Sequence, residues 1–182
     1  WEVHKSSLNL PFPNLPYLID HTPSQNVQLT QSNSILRYLA RRFNLYGATP
    51  LERVEIDVLQ DEAYDFRNKI VGTAYTLGDE YEAAYDEFVE ITIPRYLDGF
   101  ERHLENRSNQ SYFVGNQISL VDFVLYELIW QVSIMAPGSI SNSCRPCLSI
   151  FLEHFAKNLC EFESIFKIIQ IVLYISKKYF TC

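Results

Sequence analysis

An α+β, mostly helical fold is predicted, with a small strand-containing piece over residues 1–46 and an all-helical domain over residues 49–182. Three observations predict it. Pro11, Pro13 and Pro16 punctuate the first thirty residues and leave room only for short strands there. From Ser32 onward the apolar residues recur with a helical period. Two helix-start signatures, Thr49-Pro-Leu-Glu52 and Ser119-Leu-Val-Asp122, fall in the second part of the chain.

The elements follow in order. A proline is tolerated at the first position of a strand, so a strand is placed at Tyr17 to Asp20, a turn through His21 to Gln25, and a second strand at Val27 to Thr30. Together they make a hairpin. Ile35, Leu36, Leu39, Ala40 and Phe43 then form one helical stripe, which Gly47 is expected to end. Thr49 to Glu52 is a capping box with Pro50 at the first helical position, where its missing N–H costs nothing. Leu59, Ala63, Phe66, Ile70 and Ala74 continue that helix to about Tyr75. A third helix, Tyr81 to Leu104, contains Pro94 and should be kinked there. The second box opens a very apolar helix through Trp130 that should be buried on most sides, and further helical patterns follow at Leu148 to Leu159 and Ser164 to Lys177.

Composition narrows the function classes. Fifteen Lys and Arg against 22 Asp and Glu leave a formal charge of −7, which argues against a nucleic-acid partner. At 47% hydrophobic and 20% charged, the chain is too apolar to be disordered. The longest apolar stretch, Ile165 to Ile175, falls short of the roughly 18 residues a span requires, so no membrane segment is expected. No signal-peptide pattern opens the chain, which begins on Trp1. The four cysteines, Cys144, Cys147, Cys160 and Cys182, crowd into the last quarter rather than spreading as a disulfide scaffold. Both features suggest a reducing, cytoplasmic setting.

Three blocks then carry a resemblance. Phe12-Pro-Asn-Leu-Pro-Tyr-Leu-Ile-Asp20, Thr30-Gln-Ser-Asn-Ser-Ile-Leu-Arg-Tyr38 and Gly115-Asn-Gln-Ile-Ser-Leu-Val-Asp-Phe123 resemble the cytosolic glutathione transferases, specifically the mu class, in order and spacing. The likeness covers about Trp1 to Met135 and continues weakly beyond. It implies a thioredoxin-like N-terminal domain, incomplete here, followed by an all-helical C-terminal domain. It also implies conjugation of glutathione, as co-substrate, to hydrophobic electrophiles in detoxification, with no metal and no other cofactor. The family's catalytic Tyr lies on a first strand that this chain does not match, so no catalytic residue is assigned and the 182 residues alone are expected to be inactive or weakly active. The alternatives are a non-catalytic binder of glutathione or apolar ligands, or a structural relative.

Glutathione is an anionic tripeptide, so its site needs anion holders at both ends and a backbone grip between them. Ser32 stands where a strand gives way to a helix, a position suited to a carboxylate because helix N-termini present N–H groups and partial positive charge. The plainer alternative is that Ser32 caps its own helix. The resemblance implies that Gln31 and Ser32 hold the γ-glutamyl end, with Asp65 reaching it from the partner subunit. It implies a cis bond before Pro16, with Asn14 and Leu15 as contacts; the plainer alternative is a trans proline that starts a strand. Trp1 and Lys5 match the pair that holds the glycyl carboxylate, although Val3 and His4 depart from the family between them. Tyr75 matches a Tyr facing the electrophile, and Phe12 an aromatic that enters the partner of a homodimer; the alternatives are a helix-end aromatic and an exposed loop residue. Cys144-Arg-Pro-Cys147 reads first as coincidental spacing and second as a reactive surface pair or a redox motif.

Overall fold

The computed structural model describes residues 5–8, 10–21, 26–158 and 163–174, and they divide into two compact units. The first comprises Trp1–Leu45 with Ser164–Cys182, and the second Tyr46–Glu163. The C-terminal helix α7 (Glu163–Tyr174) thus groups with the N-terminal unit, whereas sequence assigned it to the helical domain.

In the first unit the hairpin forms as expected. β1 (Tyr17–His21) and β2 (Asn26–Thr30) pair antiparallel, with Leu18 opposite Leu29 and Asp20 opposite Val27. Those four are the more sheltered positions, while Tyr17 and Ile19 are exposed, the alternation that period-two geometry imposes. Helix α1 (Ser32–Arg42) packs on both strands and buries Ile35, Leu36, Leu39 and Ala40. It ends at Arg42, earlier than the expected stop at Gly47. Asn44 adopts φ 56° and the Leu45 N–H reaches back 2.7 Å to the Ala40 carbonyl, so Asn44 supplies the left-handed turn that closes the helix.

Gly47 has a different task. It sits at φ 73°, and a Cβ there would stand 2.9 Å from the Glu52 Cβ. Only glycine lets the chain approach the capping box that starts α2 (Pro50–Ala74). In that box the Thr49 hydroxyl accepts from the Glu52 N–H at 3.2 Å, and Glu52 Oε2 accepts from the Thr49 N–H at 3.1 Å and the Ala48 N–H at 2.6 Å. Ile56, Leu59, Gln60, Ala63 and Phe66 are its buried positions; Ile70 is half-buried and Ala74 exposed, so the core stripe stops short of the predicted end.

The helix predicted over Tyr81 to Leu104 is instead composite. A 3₁₀ turn (Gly78–Glu80) leads into α3 (Tyr81–Glu87), a π-helical segment (Phe88–Thr92) and α4 (Ile93–Glu105). Pro94 lacks an N–H and its ring crowds the carbonyl four residues back. The wide turn, closed by the Ile93 N–H on the Phe88 carbonyl, falls immediately before it. Helix α5 (Leu120–Met135) is buried along most of its length, although Trp130, against expectation, and Ile134 are exposed. Its cap carboxylate, Asp122, accepts from the Ser119 N–H at 2.7 Å, the Ser119 hydroxyl at 2.8 Å and the Phe113 N–H at 2.7 Å. Helix α6 (Pro146–Asn158) completes the unit. The core is aromatic: Phe66 stacks on Tyr96 at 4.4 Å, and Phe113 meets Phe151 edge-on at 4.8 Å. An ion pair, Arg67 to Glu127 at 2.6 Å, joins α2 to α5 with both side chains nearly buried.

Candidate functional site

The pairing of the hairpin assembles the site. Tyr17, the first residue of β1, lies opposite Thr30, the last of β2. Leu15-Pro16, which lead into β1, and Gln31-Ser32, which leave β2, are therefore brought to the same end of the sheet. The loop before β1 is fastened there by the Thr30 hydroxyl, which donates 2.7 Å to the Phe12 carbonyl.

The Leu15–Pro16 peptide is cis, and Pro16 is buried. Asn14 accepts the Leu15 N–H on its own side-chain oxygen at 2.9 Å. Gln31 has φ 71°, a positive value rare for a non-glycine residue; such residues cost about 1–3 kcal/mol and gather at ligand sites. Its carbonyl accepts the Ile35 N–H at 3.0 Å, which makes it the N-cap of α1, yet its side chain makes no cap bond. Ser32 is consequently the first helical residue, with Gln31 in the cap position before it. The first turn of α1 contains no acidic side chain to offset the helix dipole. This end of the hairpin offers an anion a helix N-terminus with a hydroxyl at its first position.

The remaining expected residues are placed as follows. Lys5 is half-buried beside the short 3₁₀ turn Ser6–Leu8, and Trp1 lies outside the described residues. Phe12 is 75% exposed. Asp65 and Tyr75 belong to the other unit: Asp65 is on the exposed side of α2, and Tyr75, 51% exposed, is its C-cap. Among the described residues no group of three or more His, Cys, Asp or Glu could hold a metal ion, and no helix is long and apolar enough to cross a membrane.

One supporting contact escaped sequence reasoning. Asp20 faces α1 and accepts from the Tyr38 hydroxyl at 2.6 Å and from Arg42. Tyr38 and Arg42 are one helical turn apart, so a single carboxylate at the end of β1 holds two positions of α1 and fixes where the helix stands on the sheet. The hydrogen bond to Tyr38 and the charge of Asp20 raise the Arg42 pKa above its ordinary value. The spacing of Tyr38 and Arg42 was available in the sequence, but nothing local tied it to Asp20.

Comparison with known proteins extends this picture. A family model described as "Glutathione S-transferase, C-terminal domain" matches residues 64–159, more than half of the chain. Glutathione S-transferase Mu 1 of Macaca fascicularis is 37% identical over 155 residues, 85% of this chain. The chain spans 66% of that relative's length. Two solved structures are similar throughout: the Pi-class glutathione S-transferase of Onchocerca volvulus, with a TM-score of 0.70 and 27% identity over 97% of this chain and 75% of the other, and the sigma-class enzyme of Fasciola hepatica, with a TM-score of 0.71 and 27% identity over 88% and 79%. An α/β hairpin unit, an aromatic helical unit and these likenesses agree: the chain belongs to the glutathione S-transferase family, with its sequence similarity to Mu-class members.

Proposed function

We propose that the protein binds glutathione at the Pro16–Gln31 end of the hairpin and, as a whole protein, conjugates it to hydrophobic electrophiles. The observation that carries this reading is the register of Tyr17 with Thr30, which puts a cis-proline loop and the N-terminus of α1 side by side. A tripeptide with a carboxylate at either end needs that combination of a backbone edge and an anion-binding helix terminus. Gln31 and Ser32 take the γ-glutamyl carboxylate. Asn14, Leu15 and Pro16 flank the middle of the peptide, the Leu15 N–H exchanging its Asn14 bond for one to the ligand. Trp1 and Lys5 take the glycyl carboxylate.

The protein acts in this reading as a cytoplasmic homodimer. Phe12 enters the other subunit, Asp65 reaches across to the γ-glutamyl end, and Tyr75 donates to the leaving group or oxyanion of the electrophile. No metal or prosthetic group takes part, and no sulfur-activating residue is assigned among these 182 residues.

Retention on immobilised glutathione tests the site. Ser32→Ala should lower retention by about ten- to a hundredfold, the worth of one hydrogen bond to a charged group. Lys157→Gln, on the exposed face of α6, should leave it unchanged. Equal retention of the two variants would remove the hairpin end from the site.

A further inference from the structure

The Cys144-Arg-Pro-Cys147 segment lies at the entry to α6, far along the chain from the hairpin, and the proposed glutathione chemistry leaves it without a role. Its two cysteines are both free thiols and sit in opposite environments: Cys144 is exposed and Cys147 is buried. Pro146 is the first residue of α6, so the pair straddles the helix start, one thiol just outside it and one in its first turn.

Each thiol is held by its own set of groups. The Cys144 Sγ lies 3.2 Å from the Ser141 hydroxyl and within 3.8 Å of the carbonyls of Gly138, Ser139 and Ser141. Arg145 stands beside it. Its guanidinium is clamped on Asp98 of α4, at 3.0 and 2.7 Å, and also donates to the Ser139 carbonyl. The Ser141 hydrogen bond, with help from the Arg145 charge, lowers the Cys144 pKa below the ordinary thiol value. On the other side, Glu101 of α4 is buried and its two carboxylate oxygens accept the backbone N–H groups of Cys147 and Leu148 at 2.8 and 2.9 Å. Burial and the adjacent Glu101 carboxylate push the Cys147 thiol up to about 11.

We propose that Cys144 and Cys147 are a dithiol pair that exchanges with small-molecule disulfides such as glutathione disulfide, Cys144 as the attacking thiol and Cys147 as the resolving one. Thiolate is the reactive form, so the exposed Cys144 beside Arg145 meets the incoming disulfide first. Its sulfur attacks one sulfur of the disulfide, forms a mixed disulfide and expels one small-molecule thiolate. Cys147 then attacks the Cys144 sulfur, and its proton passes to the departing small-molecule thiolate. The second small-molecule thiolate leaves and the Cys144–Cys147 disulfide forms. The small disulfide is reduced to two thiols, and the protein dithiol is oxidised by the same two electrons.

The test equilibrates the folded protein with glutathione disulfide, blocks remaining thiols with an alkylating agent, and maps the cysteines by mass spectrometry of peptides. Wild type should yield a Cys144–Cys147 bridge. Cys147→Ala should instead accumulate a glutathionyl adduct on Cys144, and Cys144→Ser should yield neither product on this segment. Native-state alkylation without any disulfide should modify Cys144 at least about tenfold faster than Cys147. A glutathionyl group that persists on Cys144 of the wild type would overturn the proposal, because Cys147 would not be resolving it. So would a Cys144 that forms neither bridge nor adduct. If Cys147→Ala were too unstable to isolate, the wild-type map and the exposed Cys144→Ser variant would still decide the matter.

Discussion

At the scale of single residues, Asp122 is the most heavily committed carboxylate of the helical unit. It is fully buried and takes three hydrogen bonds, two from backbone N–H groups and one from the Ser119 hydroxyl. Burial pushes its carboxyl up to about 6, against the hydrogen bonds from Phe113 and Ser119, which act in the opposite direction. The sign of the consequence follows from linkage. A carboxyl with a higher pKa in the folded state than in the unfolded one binds more protons when folded, so its contribution favours folding at low pH and is lost as pH rises from about 4 to about 6. Over that window the wild type should lose up to about 3 kcal/mol through this group, read as a falling urea midpoint after allowance for the other carboxylates. Asp122→Asn cannot titrate and should flatten this part of the profile. An unchanged slope in Asp122→Asn would mean that the carboxyl does not titrate there. Asp122→Ala is a different experiment: it leaves the Phe113 and Ser119 amides without an acceptor and should cost about 2–4 kcal/mol near neutral pH, and more at acidic pH, where the wild type keeps the contribution it loses between about 4 and about 6.

Among the elements, α6 depends most on a distant residue. Its own sequence offers Arg145 before Pro146 and no acidic or hydroxyl cap, and Glu101 supplies the missing acceptor from α4. A buried carboxylate on two first-turn N–H groups also meets the positive end of the helix dipole. Glu101→Ala should cost about 2–4 kcal/mol in chemical denaturation and speed hydrogen exchange at Leu148 more than at Phe155. Exchange at Leu148 that did not change would show the cap to be idle. The same contrast explains what was legible beforehand. Local signals carried their elements: the two capping boxes and the helices at Ser32, Pro50 and Leu120 depend on residues within four or five of one another, and the hairpin on residues no more than thirteen apart. The strand-to-helix change at Ser32 is visible in the pattern, whereas Gln31 and a binding role for either residue came only from the resemblance. Contacts that join distant segments left no trace in periodicity, among them Glu101 on Leu148, Asp20 on Tyr38 and Arg67 on Glu127. The end of α1 was misplaced for another reason: Asn44 did the work usually given to glycine, and Gly47 was needed for its closeness to Glu52. A kink at Pro94 was anticipated, and a widened π turn immediately precedes that residue.

Across the whole molecule the two units differ in how much apolar surface they bury. The second holds the large buried rings Phe66, Phe100, Phe113, Phe123 and Phe151, together with most of α5. In the first, the described core is Ile35, Leu36, Leu39, Ala40 and Leu45 with Ile169 and Val172, and among the described residues the sheet has two strands, with Tyr17 41% and Ile19 43% exposed. Each apolar side chain fully buried is worth about 1.5–3 kcal/mol, and a two-stranded hairpin is marginal by itself. Local opening should therefore begin in the hairpin. Native-state hydrogen exchange should be fast in β1 and β2, intermediate along the buried side of α1, and slowest in α5 and in α2 around Ala63 and Phe66. Glutathione should slow exchange at the hairpin end near Leu15 and Ser32 if it binds there, since a ligand that binds only the closed form stabilises that form. Uniformly slow exchange in β1 and β2 without ligand would mean that the two strands are held by more than each other and α1, and the ranking of the two units by buried apolar surface would fail.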